Sequence, residues 1–482
     1  MKQNNGKSSK SKIFLDSLIV NASSLIEKVF FFIANIVIAR YLSIEHFGEY
    51  STALSYATFF SLMSYIGINV TLVRALNLEY QYFNYHFTNA FLLKAVLSIV
   101  MYVTMVISVY FTGYSQDVIY LTLILGVVRI GNEFMKTYYA VDEARQKFVF
   151  PSVANSVYVI FFLGGIISVV LYKGSYYHIC MVRLIIVILF IVFLSFHTFK
   201  KFSFKFNKKL CLQFIKNAIP FSIFAVLWNF ILRINAIVIS IVLGTTPVGI
   251  FNNAILFIDT LSIIPANLRR IMMPVLYKAL EQKDKNKFQF TFEIMSKYFG
   301  IISFYIMLVL FLFANDLIMI IFGKRYFDSI QVLRVLSLSV PFVFNIATII
   351  IVGLDKQSVL TKILVIATVV NIFANIILIH FFNLLGASLA VIVTYGVIFV
   401  LGHVYLNTRE HLRLKKIVVY YIKFVIISLL CVFVYDKFFN NNYMKFYFSS
   451  LLITIIYALC ILLFIIERDD IRIIKDMLAI KK

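Results

Sequence analysis

Charged residues are scarce in this sequence of 482 residues: Asp, Glu, Lys and Arg make up 14% of the chain. A water-soluble globule carries about a quarter charged residues, so this composition excludes a soluble globular protein. The chain has only 4 cysteines and 7 histidines, and their spacing fits neither a metal site nor a disulfide framework. It also lacks a Gly-rich phosphate loop and a nucleophile elbow, so nothing in it resembles a reaction centre.

Apolar residues dominate the sequence instead. Hydrophobic types make up 62% of the chain, including 51 Phe, and the mean hydropathy is +0.93. A helix that crosses a bilayer needs about 20 mostly apolar residues, and about fourteen segments reach that length. They lie near residues 13–42, 48–72, 86–112, 117–140, 148–172, 176–198, 210–243, 247–276, 291–315, 327–353, 358–382, 385–407, 416–436 and 443–466. The sequence therefore predicts an all-α integral membrane protein.

The basic residues predict how these helices are oriented. Lys and Arg number 45 against 22 Asp and Glu, and most of them lie in the gaps between apolar segments. If the N-terminus is cytoplasmic, the inner gaps hold roughly five times as many basic residues as the outer gaps, in accord with the positive-inside rule. Both termini are then predicted to be cytoplasmic. Because the positive charge is interpreted as a topology signal at an anionic leaflet, we expect no nucleic-acid partner.

One short motif occurs twice along the chain. Leu42–Ala53 (LSIEHFGEYSTA) comes back as Leu243–Ala254 (LGTTPVGIFNNA), with Gly48 aligned to Gly249. Each copy lies in a polar gap between two apolar segments, as in a duplicated membrane unit. Each half begins inside after an even number of crossings, so the repeat is parallel. The prediction is two similarly oriented six-helix lobes and a C-terminal helix pair with a basic tail, at residues 1–209, 210–407 and 408–482.

Several charged residues lie deep inside the predicted spans. Lys28, Arg129 and Arg233 are the deepest cations, and each costs about 2.5–3.5 kcal/mol to insert at the centre of a bilayer. We therefore expect them to face a wet cavity or a partner. Glu133 follows Arg129 by four residues, so the two can pair on one helix face, in a structural or a functional role. Basic residues near helix ends, such as Lys423, are expected to snorkel to the headgroups.

Three short motifs carry a resemblance to known proteins. Residues 39–42 (ARYL) with 47–50 (FGEY) resemble the ARxLG…FGxY signature that ends the first helix of polysaccharide flippases. Residues 243–254 together with Pro274 resemble the matching LG…VGxY…A…P signature at the start of the second half. Residues 321–326 (IFGKRY) resemble the FGxxY loop of the same group. The chain departs from the pattern at Ser43, where glycine is usual.

On these motifs the chain is similar to the multidrug/oligosaccharidyl-lipid/polysaccharide exporter (MOP) superfamily across about residues 12–407, and most to its O-antigen flippase branch. The last helix pair is a departure, since many O-antigen flippases lack it and lipid II flippases possess it. The resemblance implies a MATE-like transporter rather than an enzyme. It would carry an undecaprenyl-pyrophosphate-linked oligosaccharide, such as an O-antigen unit for lipopolysaccharide, across the bacterial inner membrane by alternating access. Expected partners are the lipid-linked oligosaccharide, membrane lipids, a polysaccharide polymerase and its chain-length regulator.

A pyrophosphate headgroup needs positive charge in a wet cleft, which Arg and Lys supply through charge-assisted hydrogen bonds. The candidate residues for binding pyrophosphate and sugar are Asn21, Lys28, Arg40, Arg74, Arg129, Asn229, Arg233 and Arg270. Arg40 and Arg74, at helix ends, are expected to be gate contacts. The candidate ion-coupling residues are Glu27, Glu133 and Asp259. We expect no metal site and no cofactor, with H⁺ or Na⁺ as the coupling ion. For Arg270, a topology signal is the competing interpretation.

Three alternatives stay open. In the first alternative, the cargo is lipid II or another lipid-linked sugar. The second is a multidrug or cation antiporter of the same superfamily, which would favour acidic residues in its cavity. The third is a membrane glycosyltransferase or polymerase, for which a soluble catalytic domain or a sizeable external loop would be expected, whereas the gaps here are short.

Overall fold

The structure is a computed structural model, and it describes residues 4–65, 67–198, 203–265, 267–268, 273, 276–277, 285–439 and 446–466. This part of the chain is built from α-helices and short 3₁₀ turns and contains no β-strand. The prediction of an all-α protein is confirmed.

Seventeen α-helices run through the described residues. The first nine are α1 (Asn4–Tyr41), α2 (Ile44–Tyr65), α3 (Ile68–Leu78), α4 (Phe83–Tyr110), α5 (Gln116–Ala144), α6 (Val149–Leu171), α7 (Tyr176–Thr198), α8 (Lys208–Val242) and α9 (Thr245–Leu261). The other eight are α10 (Lys285–Leu312), α11 (Ala314–Ile321), α12 (Ser329–Ser337), α13 (Val340–Val343), α14 (Ile346–Gly353), α15 (Gln357–Arg409), α16 (Lys415–Phe439) and α17 (Phe446–Phe464).

Eleven helices of the described residues are long and apolar enough to cross a membrane, or twelve if α12 and the α13–α14 segment, bent by 49°, form one span. One of the eleven, α15, holds two predicted segments, because its backbone leaves helical geometry at Asn383 (φ 50°). Every predicted apolar segment contains a helix. The fold class, a multi-pass helical membrane protein, is therefore confirmed.

Polar residues begin several of these helices and are satisfied locally. Ser115 accepts a hydrogen bond from the Val118 amide at the start of α5 (3.4 Å), and Asn345 accepts one from the Ala347 amide at the start of α14 (2.9 Å). Such N-cap residues satisfy amide groups that the first helical turn leaves free. Within the spans, hydroxyl groups such as that of Ser24 donate to the carbonyl four residues earlier (2.9 Å to Val20), so they need no water.

The chain divides into two compact units. Unit 1 comprises Met1–Ile263 and Leu364–Ala387, and unit 2 comprises Ile264–Ile363 and Ser388–Lys482. Helices α8 and α9, which the sequence repeat places in the second half, belong to unit 1 by compactness. The predicted lobes, with boundaries at residues 209 and 407, are defined by the sequence repeat and not by compactness, so they stay a prediction.

Unit 1 is organised around α2. This helix packs against α5, α8 and α9, while α1 packs against α6 and α5 packs against α7. Four gaps lie at one end of unit 1, which we call the Gly48 end, and these gaps are residues 42–43, 111–115, 172–175 and 243–244. The opposite end, where the segment between α7 and α8 lies, is called the linker end.

Unit 2 contains the C-terminal helix pair. Helix α16 packs against α10 and α17, and the buried cluster between them includes Phe304, Phe424 and Tyr457. The Tyr457 hydroxyl donates to the Ile301 carbonyl (2.8 Å). The C-terminal pair is therefore part of the core of unit 2.

The two copies of the repeated motif contact each other through their glycines. A methyl group added to Gly249 would lie 3.1 Å from the Gly48 Cα, and one added to Gly48 would collide with the Thr245 carbonyl oxygen. Backbone atoms cannot move aside as a flexible side chain can. Glycine at both positions is therefore what lets the first turns of α2 and α9 approach so closely.

Candidate functional site

Charged side chains from three helices of unit 1 interact around Asp259 on α9. Asp259 interacts electrostatically with Arg233 on α8 most strongly and with Lys28 on α1 next. Close by, the Phe32 and Phe257 rings make an edge contact with centroids 5.7 Å apart, which packs α1 against α9. Arg233 is half-buried, whereas Lys28 is exposed on α1, so Arg233 is the more enclosed of the two cations that interact with this carboxylate.

Arg129 on α5 extends this group of cations. Its strongest charge interactions are with two other guanidinium groups, those of Arg183 and Arg233, followed by Tyr158 and Tyr50. The Arg129 Nε is buried and has no hydrogen-bond partner. Neighbouring like charges repel each other, and a buried donor without an acceptor is costly. An anion placed here would relieve both costs.

Arg183 on α7 is the residue that sequence reasoning missed. Its side chain is 4% exposed, its Nη1 donates to the Tyr50 hydroxyl (3.2 Å), and its guanidinium lies 4.8 Å from the centre of the Phe162 ring. Its Nε is buried without a partner. A signal was present, since Arg183 is the one Lys, Arg, Asp or Glu in the sequence of α7.

Glu133 does not pair with Arg129, so that prediction is wrong. Its carboxylate lies 2.7 Å from the Lys94 Nζ on α4 and 2.6 Å from the Lys136 Nζ. Lys94 is fully buried, and a buried ammonium requires a counter-charge, which the neighbouring helix supplies. Glu133 is therefore occupied by two lysines, and Arg129 one turn earlier is left to the cation group.

The remaining candidates on these helices have different surroundings. Glu27 is half-buried on α1 and interacts with Tyr139, whose hydroxyl is buried without a partner. Asn229 donates to the Ala225 carbonyl on its own helix (2.8 Å), so its amide is partly satisfied within α8. Asn21 is exposed on α1, two turns before Lys28.

The predicted gate residues lie away from the cation group. Arg40 is exposed in the last turn of α1, at the Gly48 end. Arg74 is exposed on α3, which leads to the linker end. Arg270 lies outside the residues that the structure describes.

Polar contacts fasten the helices of unit 1 together at the Gly48 end. The Tyr41 hydroxyl donates to the Gly174 carbonyl (2.6 Å), and the Ser115 hydroxyl donates to Glu49 (3.2 Å). Tyr114 and Ser240 share a hydrogen bond of 2.5 Å. Together with the glycine contact, these bonds tie α2 to α5 and α9, α5 to α8, and α1 to the connection between α6 and α7 at this end.

Comparison with known proteins identifies the family. The profile of a family described as "Polysaccharide biosynthesis protein" matches residues 15–280, more than half of the chain. This chain belongs to that family. The matched region holds Lys28, Arg129, Arg183, Arg233 and Asp259, so the whole cation group lies within it.

Solved structures share the fold. The lipid II flippase MurJ, in an inward closed conformation, superimposes with a TM-score of 0.74 over 92% of this chain and 98% of its own, at 14% identity. An inward-facing multidrug resistance MATE transporter of the MOP superfamily gives a TM-score of 0.65 over 80% of this chain and 94% of its own, also at 14% identity. The predicted resemblance is confirmed at the level of the fold, which this chain shares with both transporters.

A curated relative matches only part of the chain. An uncharacterized membrane protein, MJ1068, of Methanocaldococcus jannaschii is 26% identical over 177 residues, which are 36% of this chain and 35% of the relative. The chain thus spans about a third of the length of that relative.

Proposed function

We propose that this polysaccharide biosynthesis protein is a flippase that moves a lipid-linked oligosaccharide across the membrane, with an undecaprenyl-pyrophosphate-linked repeat unit such as O-antigen as its cargo. One observation carries the proposal. Four cations, Lys28, Arg129, Arg183 and Arg233, interact within unit 1 of a MOP-type fold, and two of them have buried Nε atoms without acceptors.

The charge balance fits a pyrophosphate diester. Among the described residues, Asp259 is the carboxylate that interacts with this group, and Glu27 is its half-buried sequence neighbour on α1, so positive charge is in surplus even when both acids are ionised. A pyrophosphate diester carries two negative charges. Arginine suits such a group because its planar fork of donors makes paired hydrogen bonds to phosphate oxygens, and these bonds strengthen where water is sparse.

Transport is proposed to proceed by alternating access of the duplicated halves, without covalent change to the cargo. Closure of unit 1 at the Gly48 end, which the charge distribution predicts to be outside, supports a state in which cargo enters from the cytoplasm. The proposed location is the bacterial inner membrane with both termini inside, and the proposed partners are a polymerase and a chain-length regulator.

Asp259 is the preferred ion-coupling group, for H⁺ or Na⁺. It interacts with Arg233 and Lys28, so a change in its charge would change how strongly these cations attract an anion. Glu133 fits this role less well because two lysines already neutralise it. Glu27, beside Lys28 in the sequence, is the second choice.

The cation surplus bears on the alternatives. A cationic drug would be repelled by this group, which disfavours a multidrug antiporter. Lipid II and other lipid-linked sugars share the pyrophosphate group, so flipping of a related cargo is the second candidate function. The similarity of the fold to MurJ and the presence of the C-terminal helix pair favour lipid II or a related lipid as cargo. The family description, polysaccharide biosynthesis, favours a polysaccharide repeat unit.

Replacement of the cations in cells tests the proposal. We expect Lys28→Ala and Arg233→Ala each to abolish surface polysaccharide while lipid-linked oligosaccharide accumulates on the inner leaflet. Lys362→Ala, which removes an exposed lysine of α15, serves as the control and should have no effect. Membrane levels of each variant are checked by immunoblot. Normal polysaccharide in both variants would reject the binding role, and a new covalent product made by the purified protein would reject transport.

A further inference from the structure

The segment that joins α7 to α8 is clipped to α4 by an alternating set of hydrogen bonds. The Ser203 amide donates to the Asn84 side chain, the Lys205 amide to Thr88 and the Asn207 amide to Asn89, each at 3.3 Å. Every second amide of this extended segment is therefore fixed to a polar side chain on the first two turns of α4. We call residues 203–207 the strap.

The strap turns two phenyl rings outward. In an extended chain successive side chains point to opposite sides, and Phe204 and Phe206 alternate with the clipped residues. Phe204 is 66% exposed and Phe206 is 53% exposed. More than half of each side chain is therefore uncovered, although three hydrogen bonds from backbone amides hold the strap in place beneath the rings. In water, holding two phenyl rings exposed on a fixed backbone would give no hydrophobic stabilisation.

Lysines flank the two rings. Lys205 lies within the strap, with its Nζ 5.4 Å from the centre of the Tyr85 ring, and Lys208 and Lys209 open α8 and are exposed. The sequence adds Lys200 and Lys201 just before the strap. Two acids at this end already interact with histidines: Glu79 lies 3.6 Å from His86 on α4, and Asp142 lies 3.4 Å from His197 on α7.

The strap lies at the level where the spans begin. It contacts Asn84, Thr88 and Asn89, near the start of the candidate span Tyr80–Tyr110. Lys208 and Lys209 are the first two residues of α8 and directly precede its predicted apolar segment, residues 210–243. Aromatic rings at the acyl boundary and basic residues among headgroups are the arrangement of an interfacial anchor.

We infer that the strap is a docking surface for anionic lipid headgroups of the leaflet at the linker end. Phe204 and Phe206 insert between acyl chains, while Lys205, Lys208 and Lys209 attract the phosphates. Because the strap joins α7 to α8, bound lipid holds the connection between the two duplicated halves at the membrane surface. This inference is independent of the cargo.

Fluorescence from a single tryptophan tests the inference. The chain has one Trp, Trp228, so Trp228→Phe gives a silent background into which Phe204→Trp or Phe206→Trp is introduced. Each purified full-length variant is placed in phosphatidylcholine vesicles containing brominated phosphatidylcholine or brominated phosphatidylglycerol. Phe87→Trp, at a buried position of α4, is the control for a ring that lipid does not reach.

We expect brominated lipid to quench both strap tryptophans but not the control, and the phosphatidylglycerol form to quench more strongly. Replacing Lys205, Lys208 or Lys209 by Gln should weaken the preference for the anionic lipid by about fivefold for each lysine. Quenching by aqueous acrylamide without quenching by lipid would overturn the inference. So would equal quenching by the two brominated lipids, or a preference that survives the triple Gln variant while its melting temperature is unchanged.

Discussion

The contact between Gly48 and the start of α9 makes Gly48→Ala an informative substitution. The new methyl group would collide with the Thr245 carbonyl oxygen and lie 2.8 Å from its carbonyl carbon and 2.9 Å from the Thr246 Cα. All three atoms belong to the backbone of α9. The first turns of α2 and α9 must therefore separate, which would open the Gly48 end of unit 1.

The size of the effect follows from a matched control. Overpacking by a methylene group costs about 1–3 kcal/mol, whereas replacing a helical glycine by alanine gains about 0.5–1 kcal/mol. Gly164→Ala on α6 has the same gain without the collision, because a methyl group there would meet no atom within 4 Å. The difference between the two variants should therefore be about 1–3 kcal/mol, or roughly 5- to 150-fold in the equilibrium between closed and open forms.

Cysteine labelling measures this opening. In a background without the four native cysteines, Ser51→Cys places a thiol at a side chain that is 3% exposed, one turn after Gly48. Gly48→Ala should raise its rate of reaction with a membrane-impermeant maleimide within that range, and Gly164→Ala should leave the rate unchanged. Equal rates for the two glycine variants would refute the conclusion that this contact keeps the end closed.

Three further predictions concern buried polar groups. Glu133→Gln leaves the Lys94 ammonium buried without its counter-charge and should destabilise the protein by about 3–5 kcal/mol, which is measured as a lower melting temperature in detergent. Adding Lys94→Met should restore most of the lost stability, and no recovery would count against the pairing of Glu133 with Lys94. Tyr50→Phe removes the hydroxyl that accepts a hydrogen bond from the Arg183 guanidinium, and such a bond is worth about 1.5–3 kcal/mol. The variant should flip its cargo more slowly while its amount in the membrane stays the same. An unchanged flipping rate would contradict a role for Arg183. Burial raises the pKa of Asp316, at the start of the short helix α11, so the folded state binds the proton of this carboxyl more tightly than the unfolded state and stability falls as pH rises through that pKa. Asp316→Asn should therefore melt at a higher temperature than the parent near neutral pH and at the same temperature below about pH 4. Equal melting temperatures at both pH values would contradict this prediction.

The sequence predicts the helices well because their signal is local. Each apolar segment is long enough to fix a helix by itself, and the break in α15 falls at Asn383, between two predicted segments. The repeated motif indicated two equivalent gaps. It could not show that Gly48 and Gly249 touch, because that contact depends on how α2 and α9 pack.

The candidate site was predictable only in part, for the same reason. Depth in a span marked Lys28, Arg129 and Arg233, since an isolated cation in an apolar helix is costly wherever it lies. The partner of Glu133 was missed because Lys94 comes from another helix, 39 residues away. The environment of Arg183 likewise depends on Tyr50, 133 residues away. Helical spacing predicts which residues are neighbours on one helix, but it does not predict contacts with residues of another helix.

Flipping by the purified protein is the most direct test of the central claim that the cation group carries an anionic lipid head across the membrane. The protein is reconstituted in proteoliposomes with a fluorescent pyrophosphate-linked lipid, and movement between leaflets is followed by dithionite quenching. We predict rapid movement with the parent protein and with Lys362→Ala, and a loss of about tenfold or more for Lys28→Ala and for Arg233→Ala, because each removes a charge-assisted hydrogen bond. Equal rates for all four proteins, or no movement with the parent, would contradict the account.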